Sequence, residues 1–210
     1  MSMSDTITQT LTALLKRLDI TLNEEALEKL AAHHHEVEHW GKTLGLTKAG
    51  GRELLIKHTI DSLLALPFLK EIAPATAIDI GSGAGFPGIP LAIAMPETSF
   101  ILAERRQKRA SFLAGTKALL HLDNVAVFAD DFNLIKKPAD MVVFRALTPL
   151  TPAFVKTLLQ RCRHIMAYKG RLDEAEEEAA QLRRLNFTAA LIPLQTLHAD
   201  EERTLLHIRK

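Results

Sequence analysis

The sequence is short of cysteine, of net charge and of long apolar runs. Its single cysteine, Cys162, excludes an intramolecular disulfide and fits a reducing compartment. Lys and Arg total 26 against 25 Asp and Glu, a formal net charge of +1. That balance argues against an indiscriminate nucleic-acid binder, which is usually strongly basic. The longest apolar stretches, such as residues 63–69, fall far below the ~20 residues of a membrane span. The opening Met1-Ser-Met-Ser-Asp-Thr has neither a basic nor an apolar region, so no secretory signal is expected and the cytosol is the default. No internal repeat or low-complexity segment is visible. With 210 residues, 47% hydrophobic and 24% charged, the chain describes one ordinary domain with a small extension. A chain of this size buries roughly 70% of its unfolded surface and needs no disulfide or metal to hold it.

The first seventy or so residues read as helical. Leu11, Leu14, Leu15 and Leu18 recur at helical spacing on one face. Asn23 before Glu24 and Glu25 is an N-cap with carboxylates in the first turn, and Leu27, Leu30, Ala31 and Val37 continue an apolar stripe. Gly41, Gly45 and the pair Gly50-Gly51 punctuate a loop, and a third helix is expected over 52–66, stopped near Pro67. From Ala75 short apolar runs alternate with helical patterns. Strands are expected at 76–80, 99–103, 125–128, 141–144 and 164–168, with helices at 87–95, 107–121, 149–162 and 172–185. This alternation implies βαβ units and a parallel sheet covered on both faces. The runs 188–194 and 204–208, with no helix between them, are expected to pair as an antiparallel hairpin at the sheet edge. The acidic run 173–178 reads as a solvated helix face.

The strongest local signal is the stretch from Ala77 to Leu91, Ala-Ile-Asp-Ile-Gly-Ser-Gly-Ala-Gly-Phe-Pro-Gly-Ile-Pro-Leu. An apolar strand runs into Gly81, Ser82, Gly83 and Gly85, and a helix follows near Pro87; in a doubly wound sheet this crevice is where ligands bind. The dinucleotide fingerprint fails because Phe86 stands where its third glycine belongs, and a P-loop fails because Gly88 precedes Ile89 rather than Lys. Asp79, just before the glycines, would oppose a pyrophosphate and suits a cationic or zwitterionic ligand. Glu104 ends the next strand, where a carboxylate accepts hydrogen bonds from ribose hydroxyls, and Asp130 or Asp131 ends the third, where it meets an adenine edge. Together these describe a site for S-adenosyl-L-methionine; a tight strand-to-helix turn with no ligand is the bland alternative.

The same stretch resembles the signature of the small-subunit rRNA guanine-N7 methyltransferases, the RsmG (GidB) family. Phe86-Pro-Gly-Ile-Pro is its most specific part. Similar positions follow across the chain: Trp40 with Leu46-Thr47, His58-x-x-Asp61-Ser62, Lys108-Arg109 before Phe112-Leu113, Arg145-Ala146, Lys169-Gly170 and Glu202-Arg203. The chain departs from the family pattern at Gly41, Gly45 and Phe144, in carrying Glu104 for an aspartate, and around Asp130-Asp131-Phe132. The resemblance implies a class I S-adenosylmethionine-dependent methyltransferase fold: a Rossmann-like, mostly parallel seven-stranded sheet with an antiparallel last strand over 71–210, behind an N-terminal helical extension over 1–70. It implies methylation of guanine N7 in the 530 loop of 16S rRNA, free or within the small ribosomal subunit or its precursor.

Guanine N7 carries an in-plane lone pair and no proton, so its methylation needs positioning and electrostatics rather than a general base. Cys162, between Arg161 and Arg163 at a helix end, has no base to activate it. Arg145, at the end of the fourth strand, is the candidate for gripping the guanine O6 or a neighbouring phosphate, and for bordering the cofactor; Lys169 is the second choice. The alternative for Arg145 is an ion pair tying its strand to the N-terminal helices. His58, Asp61 and Ser62 share a helix face, with Asp61 and Ser62 expected to hydrogen-bond His58. Arg105, Arg106, Lys108 and Arg109 crowd one helix start, and Arg161, Arg163, Lys169 and Arg171 crowd the fifth strand, as candidate RNA contacts. His35-Glu36-Val37-Glu38-His39 spells H-E-x-x-H, a zinc hydrolase pattern, but no third ligand declares itself and His33-His34 suggest a polar His-rich face, so no metal is expected. A small-molecule methyltransferase on the same fold is the main rival reading.

Overall fold

Seven strands form one sheet in the computed structural model, which describes residues 3–146, 150–198 and 200–209. They are β1 (Thr76–Ile80), β2 (Ser99–Ala103), β3 (Val125–Phe128), β4 (Ala139–Arg145), β5 (Cys162–Lys169), β6 (Thr188–Pro193) and β7 (Thr204–Arg209). The spatial order is β3-β2-β1-β4-β5-β7-β6. Pairings among β1 to β5 are parallel, while β7 is antiparallel to both β5 and β6. The expected hairpin of the last two strands therefore forms, but β7 inserts between β5 and β6 and leaves β6 at the edge. Strand order reverses between β1 and β4, which opens a crevice at their C-terminal ends.

The period of two along the strands divides the core. Ala77, Met141 and Val143 point to one face, while Ile78, Ile80, Val142 and Phe144 point to the other. The second face is covered by α8 (Pro152–Leu159) and α9 (Leu172–Arg184). The first is covered by α6 (Gly88–Ala94), α7 (Gln107–Leu119) and the N-terminal helices. Leu11 and Leu14 of α1 (Met3–Lys16) and Leu30 and Val37 of α2 (Glu24–Trp40) belong to the same apolar cluster as Leu91, Phe100 and Leu113. The N-terminal segment and the sheet thus share one core. Asn23 caps α2 as its sequence implies, its side chain accepting from Ala26 N at 2.8 Å.

The expected third helix is interrupted. It runs as α3 (Gly51–Leu54), a π-helical turn Leu55–Ile60 and α4 (Asp61–Leu63), and Pro67 does not stop it for good. Instead Pro67 lies in the first turn of α5 (Leu66–Ile72), where its missing N–H costs no helical hydrogen bond. Cys162 opens β5 rather than closing a helix, because α8 ends at Leu159; it is buried, and its thiol donates to the Leu158 carbonyl. The start of the helix expected at Pro149 lies outside the described residues, as do Met1 and Ser2; α8 itself is capped by Thr151, whose side chain accepts from Phe154 N.

Candidate functional site

β1 delivers Asp79 and Ile80 into a turn in which Gly81, Gly83 and Gly85 have φ of +72°, +56° and +92°. L side chains rarely adopt these values, which is the local reason for three glycines. The glycines divide by what surrounds them. A Cβ on Gly81 would meet nothing within 4 Å, and one on Gly83 only the Gly81 carbonyl at 3.8 Å. A Cβ on Gly85 would press on Ile89 and stand 3.1 Å from His33 Nε2, and one on Gly88 would strike Leu102 and Asp79. Gly81 and Gly83 therefore leave open space at the crevice, whereas Gly85 and Gly88 admit close packing beneath it.

Asp79 lies under this turn with no solvent exposure. Its Oδ2 accepts from Gly88 N at the start of α6, at 3.1 Å, and its Oδ1 has no hydrogen-bond partner. Burial pushes its carboxyl up to about 7, against the lowering effect of Ser82, the Gly88 amide and Arg145. Ser82 is equally buried and its hydroxyl donates to the Asp79 carbonyl. Glu104 follows β2 and reaches back over the crevice: Oε2 accepts from Gly83 N at 3.1 Å and Oε1 from Arg106 N at 2.8 Å. Each carboxylate oxygen has lone-pair capacity left for a further donor. Asp130 is exposed and accepts from Asp131 N through Oδ1, while Asp131 caps the 3₁₀ turn Phe132–Leu134 through Asn133. Each keeps its Oδ2 uncommitted.

Arg145 closes β4 beside the turn, its guanidinium carbon 5.6 Å from the centre of the Phe86 ring. Nη1 donates to the Lys57 carbonyl at 2.9 Å and to Asp61 Oδ2 at 3.0 Å, and Nη2 donates to His58 Nδ1. The contact with Nδ1 puts the His58 proton on Nε2, which donates to Thr47 Oγ1 at 3.3 Å. Burial first, and the Arg145 charge second, hold His58 down to about 4, so it is neutral near pH 7. Asp61, 7% exposed, also accepts from Arg203 Nε and so lies between two guanidiniums. The π-helical turn brings the Lys57 carbonyl and His58 to Arg145 together. The tie between β4 and the N-terminal helices, weighed as the bland alternative, is thus present. Of the two residues expected to hydrogen-bond His58, Ser62 does so, at the His58 carbonyl, and Asp61 does not. Asp61 takes the arginines, and Ser62 Oγ donates to the His58 carbonyl while its own carbonyl accepts from Tyr168.

Lys169 ends β5 but pairs with Glu178 of α9, whose other oxygen accepts from Leu150 N. Glu178 consequently departs from the solvated face expected for 173–178. The fifth-strand basic cluster also divides. Arg161 and Arg163 lie at the opposite end of β5 from the crevice, roughly 20 Å along the strand at ~3.3 Å per residue. Arg161 is spent on the carbonyls of Asn133 and Ile135. Arg105, Arg106 and Lys108 remain exposed at the start of α7, and Arg109 donates to the Gly45 carbonyl at 2.6 Å. The polar His-rich face is also overturned: His33 and His34 are 0% and 2% exposed, because they fall on the same helical stripe as Leu30 and Val37. Among the described residues no group of three or more His, Cys, Asp or Glu side chains is arranged to hold a metal ion. His33 and the Asp61–Arg203 contact went unassigned from sequence. The stripe would have located the first; the second joins residues 142 positions apart and carries no local signal.

This topology, with its glycine turn after β1 and carboxylate after β2, defines the class: a class I S-adenosylmethionine-dependent methyltransferase fold, Rossmann-like. An O-methyltransferase from Bacillus cereus in complex with SAH superposes with a TM-score of 0.62, covering 99% of this chain and 100% of its own, at 15% identity that speaks to the fold alone. The family model for rRNA small subunit methyltransferase G matches residues 26–206, and the chain belongs to that family. A ribosomal RNA small subunit methyltransferase G from Borrelia turicatae is 30% identical over 200 residues, 93% of this chain and 96% of that protein. The one from Treponema pallidum is 42% identical over 164 residues, 74% of this chain and 72% of that protein.

Proposed function

We propose that the chain methylates N7 of a guanine in the 530 loop of 16S rRNA, taking the methyl group from S-adenosyl-L-methionine. One observation carries the cofactor reading: the empty space on the Cβ side of Gly81 and Gly83, bordered by the Glu104 carboxylate. Backbone can approach a ligand there without a side chain between them, and a carboxylate with spare lone pairs suits two vicinal hydroxyls. Family membership over 26–206 supports the rRNA substrate.

When bound, the cofactor supplies a sulfonium-activated methyl group. The chain's residues then have three tasks. Gly81, Gly83 and Phe86 shape the cradle, Glu104 takes the ribose, and Asp130 or Asp131, each with a spare carboxylate oxygen, accepts from the adenine edge. Asp79 and Ser82 act from beneath by fixing the turn. Arg145 keeps two of its five N–H donors after its contacts with Lys57, Asp61 and His58, enough to engage guanine O6 or a phosphate while leaving the N7 lone pair free. Because N7 gives up its lone pair and positive charge passes from the sulfonium to the base, Arg145 orients the guanine rather than stabilising charge at O6. Lys169, held by Glu178, is the secondary choice. Arg105, Arg106 and Lys108 supply phosphate contacts at the rim.

The test incubates naked 16S rRNA and small subunits with radiolabelled S-adenosyl-L-methionine and maps N7-methylguanine by chemical cleavage. One modified guanine is expected, lost in Gly83→Asp and reduced at least tenfold in Arg145→Ala. A protein that binds the cofactor yet labels neither RNA substrate would favour the small-molecule reading; one that binds no cofactor would remove the methyltransferase reading.

A further inference from the structure

We propose that His33, on α2, is a positioning residue for the glycine turn: its Nε2–H holds the Ala84 carbonyl and fixes the turn in its ligand-receiving shape. The inference rests on the S-adenosyl-L-methionine reading of that turn.

The turn is built to be soft. Ala84 sits between Gly83 and Gly85, both at positive φ, and glycine loses more freedom on ordering than any other residue. Its other anchors lie within the turn and on β2: Gly85 N and Phe86 N donate to the Ser82 carbonyl, Gly81 N and Ser82 N to the Ala103 carbonyl, and Gly83 N to Glu104 just beyond that strand. Among the described residues, His33 is the one side chain of the N-terminal helices that hydrogen-bonds the turn's backbone, Nε2 to the Ala84 carbonyl at 2.9 Å. A carbonyl only accepts, so Nε2 carries a proton, and burial, which pushes the His33 pKa down to about 4, leaves the ring neutral near pH 7 with Nδ1 unprotonated. The ring also stands 4.8 Å from that of Phe86, which in turn lies 5.2 Å from the His58 ring. The nearness of Nε2 to the Cβ direction of Gly85 gives that glycine a second reason to lack a side chain.

Stability does not account for an imidazole here. His33 has no solvent exposure, and its Nδ1 is buried without a partner. A buried unpaired polar atom is costly, and the neighbours on the same stripe, Leu30 and Val37, pack without one. What the imidazole adds over a leucine is a donor aimed at the centre of the turn. The histidine run 33–35 that leads into the zinc-like motif thus begins with a residue whose chemistry is hydrogen bonding.

The test compares wild type, His33→Leu and His33→Gln. Glutamine carries a donor at about the reach of Nε2; leucine carries none. Hydrogen exchange of the amides of residues 81–88, without ligand, is expected to accelerate about tenfold in the leucine variant and to return in the glutamine variant, tenfold being the scale of one neutral hydrogen bond. Affinity for S-adenosyl-L-methionine by calorimetry should fall about tenfold and recover in parallel, with the cofactor KM rising and kcat at saturation within twofold of wild type. If the leucine variant does not fold, His33→Asn, whose amide stops short of Ala84, takes its place. Unchanged exchange, or faster exchange with undiminished affinity, overturns the proposal, and so does a leucine variant that glutamine fails to rescue. A wild type that binds no cofactor but shows the exchange pattern would overturn the cofactor reading and leave His33 as an anchor of the turn alone.

Discussion

Replacing Asp79 by asparagine should change how stability depends on pH, and by a calculable amount. The carboxyl has no solvent exposure, one oxygen accepts from Gly88 N, and the other is unpartnered. Burial raises its pKa to about 7 from an ordinary 3.8. Between those values the folded protein retains a proton that the unfolded chain has lost. Stability from this group is therefore fully present below about pH 4, declines as pH rises, and is lost above about pH 7. At about 1.4 kcal/mol per pH unit the span is roughly 4 kcal/mol. Asparagine keeps an acceptor for Gly88 and cannot ionise. The unfolding free energy of Asp79→Asn minus that of wild type should thus rise by roughly 4 kcal/mol from pH 4 to pH 8, measured by urea denaturation without ligand. The difference is the right observable because His33, His58 and His207, each held down to about 4 mainly by burial, act in the opposite direction. Their unfolded forms take up protons below about 6.5, so they cost stability as pH falls toward 4, in both proteins alike. A difference that stays constant with pH, or falls, would refute the raising of the Asp79 pKa by burial under the turn.

Gly85→Ala should destabilise by about 2 kcal/mol or more in thermal unfolding, because φ is +92° and the new methyl meets Ile89 and His33. Glu104→Gln should weaken S-adenosyl-L-methionine binding at least tenfold by calorimetry, since one oxygen of the charged acceptor becomes a donor. Asp61→Asn should cost roughly 3 kcal/mol of stability, because it leaves Arg145 and Arg203 facing each other without their shared counter-charge. RNA affinity should fall with salt at a log–log slope of about −2, the value for about three single-strand phosphate contacts made by Arg105, Arg106 and Lys108; a slope steeper than about −5 would mean that the cluster is not the main footprint.

Features set by a short stretch of sequence were legible. The leucine stripe of α1 that runs on to Leu18, the Asn23 cap and the strands β1, β2 and β3 follow from periodicity and capping within a few residues, and the glycine turn follows from its own φ requirements. Features set by contacts between distant segments were not. The π-helical turn at Leu55–Ile60 and the insertion of β7 beside β5 depend on what each segment packs against. Pro67 shows the limit of a local rule: a proline ends one helix and suits the first turn of another equally well. His33 and His34 show a rule applied unevenly, since the stripe that assigns Leu30 and Val37 to the core assigns them there too.

Charge was the hardest feature to read, because a count does not say where a charge is spent. Of the cations near the C-terminal ends of β4 and β5, Arg145 and Arg203 are held by Asp61 and Lys169 by Glu178, inside the fold. Arg161 and Arg163 sit at the far end of the sheet. Lys57 and Arg171, though exposed, pair with Glu53 and Asp173, so the exposed cations left beside the glycine turn are Arg105, Arg106 and Lys108, at the start of α7, one residue or more beyond the carboxylate that borders the cradle. A polyanion would meet this rim as a small basic patch set on a nearly neutral molecule, attractive only where its shape brings several phosphates to α7 at once. On the proposed rRNA reading, near-neutrality would act as a selection device: it would remove the general attraction that holds any RNA and leave recognition to the fit of one folded target against the start of α7, the loop carrying Gly45 and the mouth at Arg145.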